Sequence, residues 1–156
     1  MTTPSHLPPD LESTDMTDFS QLTTEEIDAF LVEHQHALDM SGIEPGDVTT
    51  RVENGSAVIE AREYGFAILQ LTEAPDGLVP HLWALYIDPD RRGRRMGMAF
   101  LRYLLKKYSR EYCMSLVCHG PRRRAFFGRA GFCIESKDGE YRRMTTADRE
   151  TRLRLM

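Results

Sequence analysis

The sequence contains no run of 18 apolar residues, so it predicts no membrane-spanning helix. Its opening stretch, MTTPSHLPPDLESTD, has neither a basic n-region nor an apolar h-region, which excludes reading it as a secretory signal. Cysteine is scarce. Cys113, Cys118 and Cys133 form an odd set without metal-like pairing, which fits free thiols in a reducing, cytoplasmic compartment. His34 and His36 stand two apart on an expected helix and so do not share a face, and no metal is expected. No internal repeat is visible. Lysine and arginine are absent from the first 50 residues, which hold eleven Asp and Glu. From Arg51 onward 20 basic residues face 13 acidic ones, a balance of +7 that the net charge of −4 conceals. Between Arg91 and Arg129 there are twelve Lys or Arg and one acid, Glu111, so the field there is positive and attracts an anion.

What is present is ordinary for a soluble globular protein: 156 residues, 41% apolar and 28% charged, enough for one domain with one core. Residues 1–20 read as an acidic, mobile tail, 21–148 as the domain, and 149–156 as a C-terminal tail. Thr23 and Glu26 form a capping-box pattern. Ile27, Phe30, Leu31, His34 and Leu38 follow at helical spacing, predicting a helix that ends near Gly42. Asn54-Gly55 between 49–53 and 56–61 is a hairpin signal. Further strands are expected at 66–72, 79–87 and 114–118, with a final hairpin of 132–135 and 140–144. A helix is expected from near Arg95 to about Arg110, on Met98, Leu101, Leu104, Leu105 and Tyr108, and another over 121–130 between Pro121 and Gly131. The order predicts an α+β domain with helices on the faces of a mixed sheet.

The segment DPDRRGRRMGMAFL, residues 88–101, joins the strand over 79–87 to a helix start. First-turn amides of a helix lack internal partners and carry partial positive charge. Gly93 and Gly97 allow close approach to the backbone, and Arg92, Arg94 and Arg95 add charge, so the segment reads as a pyrophosphate cradle. It has neither the GxxxxGK[ST] nor the GxGxxG spacing.

That segment resembles the acetyl-CoA signature [RQ]-x-x-G-x-[GA] of the GCN5-related N-acetyltransferases. Arg92 matches its first position and Gly97 its last, while Arg95 stands where the family has its middle glycine. AFFGRAGF, residues 125–132, resembles the family's A-x-x-[FY]-Y-x-x-x-G-F element, at the family's distance of about thirty residues. The resemblance covers roughly residues 49–145. It implies a central mixed, mostly antiparallel sheet whose fourth and fifth strands splay apart to admit acetyl-CoA. Leu85, Tyr86 and Ile87 would pair with the pantetheine arm; Arg92, Gly93, Arg94, Arg95, Met96, Gly97 and Met98 would hold the pyrophosphate; Phe127 would lie under the pantetheine and thiol.

The implied reaction is direct transfer of the acetyl group to a primary amine in a ternary complex, with a backbone N–H near Leu85 or Tyr86 facing the oxyanion. HLWALYI, residues 81–87, is similar to the HLHALAV of serotonin N-acetyltransferases, whose first histidine takes part in proton removal. His81 is therefore the expected general base, and its ordinary pKa near 6.5 suits the task; the plainer reading is a polar residue at a strand start. Many members have Tyr where Phe127 stands, and Phe cannot donate a proton. Tyr86, Tyr141, Cys118 or water would have to serve, or the thiolate leaves unassisted. Arg122, Arg123 and Arg124 either meet the CoA 3′-phosphate or an acidic partner, or form a solvated face. Cys118 and His119 point to opposite faces of a strand, which argues against a covalent route. Trp83 and Tyr86 are expected on opposite faces of their strand. The acidic first half either selects a cationic amine acceptor or serves solubility, and a homodimer fits the resembled family. Two further readings stay open: a CoA-binding regulatory protein with a degenerate site, and a nucleic-acid-associated protein using the basic face, for which no recognition module is seen.

Overall fold

The computed structural model describes residues 22–40, 42–91 and 95–146. The expected tails, and the predicted cradle residues Arg92, Gly93 and Arg94, lie outside the described residues. No helix among the described residues is long and apolar enough to cross a membrane.

Helix α1 (Thr24–Glu33) opens with the capping box that the sequence predicts: Glu26 N–H donates to Thr23 Oγ1 at 3.2 Å and Thr23 N–H donates to Glu26 Oε1 at 2.9 Å. The helix does not run on to Gly42. It breaks at His34, whose Nδ1 turns back to the Phe30 carbonyl at 3.0 Å, and α2 (Gln35–Met40) starts afresh. The expected strand over 49–53 is instead the end of helix α3 (Pro45–Glu53). Pro45 presets the first turn, Thr49 and Thr50 hydroxyls donate to the carbonyls four residues back, and Val48 and Val52 pack on α1 and the sheet. Burial of that face overrides the strand preference of Thr and Val. Gly55 does adopt a left-handed turn, φ 83°, but it joins a helix to a strand.

Among the described residues six strands therefore form the sheet, and the strand expected to be fourth is third: β1 (Ala57–Arg62), β2 (Gly65–Ala74), β3 (Gly77–Ile87), β4 (Ser115–His119), β5 (Phe132–Asp138) and β6 (Tyr141–Thr146). Their order is β1-β2-β3-β4-β6-β5, with every neighbour antiparallel except β3 and β4. A 3₁₀ turn (Pro89–Arg91) precedes α4 (Met96–Tyr108), and α5 (Pro121–Arg129) joins β4 to β5. This is the α+β architecture expected, with a mixed, mostly antiparallel sheet.

Two cores fill the two faces. Ala67, Leu69, Leu82 and Leu116 pack with Phe100, Leu101 and Leu104 of α4. Ile59, Phe66, Ile68 and Ala84 pack with Ile27, Leu31, Leu38 and Val48 of α1–α3. Strand β2 is thus buried on both faces, as its near-continuous apolar run FAILQL requires. At the edge, Glu60 and Arg62 carry charge into the α4 side. The Glu60 carboxylate accepts from Lys107 Nζ at 2.7 Å and from the Tyr108 hydroxyl, lies 3.6 Å from Arg62, and is 3% exposed. Burial first, and the carboxylate second, hold the Tyr108 phenol well above its usual pKa.

Candidate active site

The register of β2 against β3 slips between Ile68–Ala84 and Leu69–Leu82, leaving Trp83 as the extra residue of a bulge. Alternation resets there. Leu82 faces α4, Trp83 and Ala84 both face the α1–α3 side, and Leu85 and Ile87 return to the α4 side. Trp83 and Tyr86 thus share one face, contrary to simple alternation, and His81 lies on that face too, opposite Leu82.

The β3–β4 ladder has two rungs, His81–Ser115 and Leu82–Leu116, and stops there. β3 continues to Ile87 and β4 to His119, so the strands open into a wedge toward their C-terminal ends. This is the expected splay. Leu85, Tyr86 and Ile87 lie on its β3 side. Helices α4 and α5 both start at its mouth, since each follows one of the two strands. Neither helix has a side-chain N-cap or an acidic residue in its first turn, so the partial positive charge of both ends is left uncompensated from within. Arg122, Arg123 and Arg124 add to it at α5, where like charge is unfavourable without an anion.

Arg95 is the N-cap of α4 and, among the described residues, the one non-glycine at positive φ (63°, ψ 9°). That conformation explains why the resembled motif has glycine there. Met96, Gly97 and Met98 form the first turn. A Cβ on Gly97 would meet Phe126 at 3.4 Å and Ile87 at 3.5 Å, so this glycine brings α4 against α5 and the end of β3. Phe127 packs edge-on against Phe126 and Phe132, within the α4-side core.

His81 Nδ1 lies 2.7 Å from Ser115 Oγ. Burial, and then the positive charge of Arg143, lower its pKa below the usual 6.5, so the ring is neutral at pH 7. On the same face Arg51 stacks over Trp83 at 5.5 Å and pairs with Asp47 at 3.4 Å, while Arg143 pairs with Glu135 at 2.8 Å. Val117 and Tyr141 are 52% and 55% exposed, so no helix among the described residues covers the β4–β6 part of this face. The Tyr86 hydroxyl lies 3.2 Å from His36 Nε2, and His34 also approaches the Tyr86 ring. The break at His34 turns both histidines toward one phenol, where a continuous helix would have separated them. Cys118 faces the α4 side and His119 the other, where it meets Glu140 at 3.5 Å. Burial raises the Cys118 thiol pKa, against the pull of Arg124, Arg123 and Arg142, and keeps it un-ionised.

Sequence reasoning missed two residues here. Ser115 was a lone hydroxyl in the short apolar strand MSLVC, and only the pairing of β4 with β3 reveals its partner. Gly65 was unremarked. A Cβ on it would lie 2.0 Å from the Tyr86 carbonyl oxygen, so its missing side chain lets β2 seat the end of β3.

No protein-family model matches the sequence, and no curated protein matches it. Solved structures do. The PaiA N-acetyltransferase of Thermoplasma acidophilum in complex with coenzyme A aligns over 84% of this chain and 96% of its own, at 15% identity and a TM-score of 0.61. An acetyltransferase from Thermus thermophilus aligns over 80% and 92%, at 19% identity and a TM-score of 0.61. A GNAT-family protein from Bacteroides thetaiotaomicron aligns over 90% and 92%, at 15% identity and a TM-score of 0.58. With its two-rung β3–β4 ladder, its bulged β3 and helix α4 starting at the mouth of the wedge, the chain has the fold of the GCN5-related N-acetyltransferases.

Proposed function

We propose that the protein transfers the acetyl group of acetyl-CoA to a primary amine. The observation that carries this is the wedge between β3 and β4, with His81 at its apex and two uncapped helix starts at its mouth. The residues present fit the co-substrate. Leu85, Tyr86 and Ile87 would line the pantetheine arm. Arg95, Met96, Gly97 and Met98 would face the pyrophosphate, with Arg92, Gly93 and Arg94 completing the loop. Arg122–Arg124 offer charge for a further phosphate. Phe127 backs the slot as a packing residue.

Acetyl-CoA supplies an activated acyl carbon and a thiolate leaving group whose pKa of about 8.5 lets it depart without a strong acid. His81, held neutral, takes the proton of the acceptor's ammonium group. The freed amine nitrogen bonds to the acyl carbon, the C–S bond breaks, and the nitrogen gives up its second, surplus proton to solvent water to leave the neutral amide. A β3 backbone N–H near Leu85 or Tyr86 faces the developing oxyanion. The proton on His81 then passes to the thiolate through solvent. Cys118 takes no part, because its thiol stays protonated on the far face. The acidic first half either selects a cationic acceptor or serves solubility, and the two arginines that accompany His81 and Trp83 each stand beside a carboxylate, Arg51 with Asp47 and Arg143 with Glu135.

The test is acetyl-CoA consumption over a panel of arylalkylamines, polyamines and lysyl peptides. An amine-dependent rate that falls at least a hundredfold in His81→Ala supports the reading, given the usual worth of a general base. An unchanged kcat/KM removes His81 from the mechanism. A second reading, CoA binding without transfer, draws support from two features: Phe127 stands where the resembled motif often has Tyr, and the Tyr86 phenol is engaged by His36. Tight CoA binding with no turnover of any amine selects it.

A further inference from the structure

We propose that Ser115 is a positioning residue whose hydroxyl fixes the tautomer and aim of the His81 ring, leaving Nε2 as the nitrogen with the free lone pair. The choice of Nδ1–H as the donor, like the kinetic consequence, rests on the acetyltransferase reading, which needs a proton-accepting Nε2; the Nδ1–Oγ contact itself does not.

Ser115 and His81 form the first of the two rungs joining β3 to β4. Paired residues on adjacent strands project to the same face, about 5 Å apart. The contact is thus imposed by the sheet and does not depend on two long side chains finding each other. The second rung, Leu82–Leu116, is buried on the opposite face, at 4% and 2% exposure, and holds both strands in place. Ser115 itself is 7% exposed, so water does not readily replace its partner, and a buried hydroxyl keeps a hydrogen bond. The 2.7 Å separation of Oγ and Nδ1 is that bond.

A neutral imidazole has one N–H. If Nδ1–H donates to Ser115 Oγ, Nε2 can accept a proton. If the serine hydroxyl donates to Nδ1 instead, the hydrogen sits on Nε2 and the ring cannot act as a base there. Free neutral histidine in water favours the Nε2–H form. Without the serine, the ring returns toward the form that cannot serve. The pairing is the same division of labour that a carboxylate performs for a catalytic histidine, with a neutral acceptor in its place.

The test needs no acceptor. Imidazole nitrogen NMR on the full chain at pH 7.5 reads the tautomer of His81, assigned by loss of its signals in His81→Gln. The expected result is Nδ1–H in the wild type and in Ser115→Thr, which keeps the hydroxyl, and a shift toward Nε2–H in Ser115→Ala. An Nε2–H wild type, or a Ser115→Ala spectrum like the wild type, overturns the proposal. The kinetic arm uses any panel amine the wild type acetylates. There Ser115→Ala lowers kcat about tenfold, with the acetyl-CoA KM unchanged, and Ser115→Thr restores most of it. Wild-type kcat in Ser115→Ala overturns the catalytic consequence. If no amine is consumed while the tautomer still follows the hydroxyl, the acetyltransferase reading fails and the positioning role stands.

Discussion

Arg95 offers a prediction whose two halves pull in opposite directions. An L-residue in the left-handed region loses about 1–2 kcal/mol to contact between Cβ and the backbone. Arg95, at φ 63° and ψ 9°, is in that region, is exposed, and makes no side-chain cap bond that would offset the loss. Arg95→Gly removes the clash but adds about 0.5–1 kcal/mol of backbone entropy to the unfolded chain. The net is a gain of about 0.5–1 kcal/mol, or a Tm higher by about 1–4 °C for a chain of this size. Arg95→Ala removes the same charge but keeps the Cβ, so it leaves Tm unchanged. Both variants lose a cation beside the expected pyrophosphate, so both bind CoA more weakly, and to a similar degree. Differential scanning calorimetry with and without CoA reads both effects. If Gly and Ala give the same Tm, the left-handed backbone is not what Arg95 costs the protein, and the argument from conformation fails.

Other predictions concern the sheet and its charges. Gly65→Ala places a Cβ against the Tyr86 carbonyl oxygen and destabilises by about 1–3 kcal/mol in urea melts, whereas Gly97→Ala meets ordinary contacts and stays within about 1 kcal/mol of the wild type. Glu60→Ala leaves Arg62, whose side chain is 2% exposed, without its carboxylate and costs about 3–5 kcal/mol by the same measurement. His81 has a folded pKa below its unfolded 6.5, so the unfolded chain binds the proton first. Its contribution to stability is complete above 6.5 and is lost as pH falls through the lower, folded value. The urea midpoint should fall less between pH 7.5 and 5.5 in His81→Gln than in the wild type.

Local chemistry made much of this fold readable. The capping box at Thr23, the Pro121 start and Gly131 stop of α5, and the apolar face of α4 are signals carried within one turn or one element. The misreadings come from contacts between elements. Asn54-Gly55 does turn the chain, but packing of Val48 and Val52 against α1 and the sheet made the preceding segment helical. The bulge at Trp83 is a matter of register between two strands, so alternation along β3 alone put Trp83 and Tyr86 on opposite faces. His81 was legible as a candidate because the motif around it pointed to it. Ser115 and Gly65 were not, since each matters only for what β3 places beside it. The burial of Glu60 likewise depends on another element, since Lys107 and Tyr108 of α4 close over its carboxylate.

The central claim is that the wedge between β3 and β4 takes acetyl-CoA. A thermal melt with acetyl-CoA, with CoA, and with ATP as control tests it directly. At a hundred times Kd a ligand adds about 2.7 kcal/mol, a rise in Tm of about 5–10 °C at this chain length. The account predicts that rise with acetyl-CoA and CoA and little with ATP. No rise with either thioester or thiol, at concentrations up to the millimolar range, would contradict it.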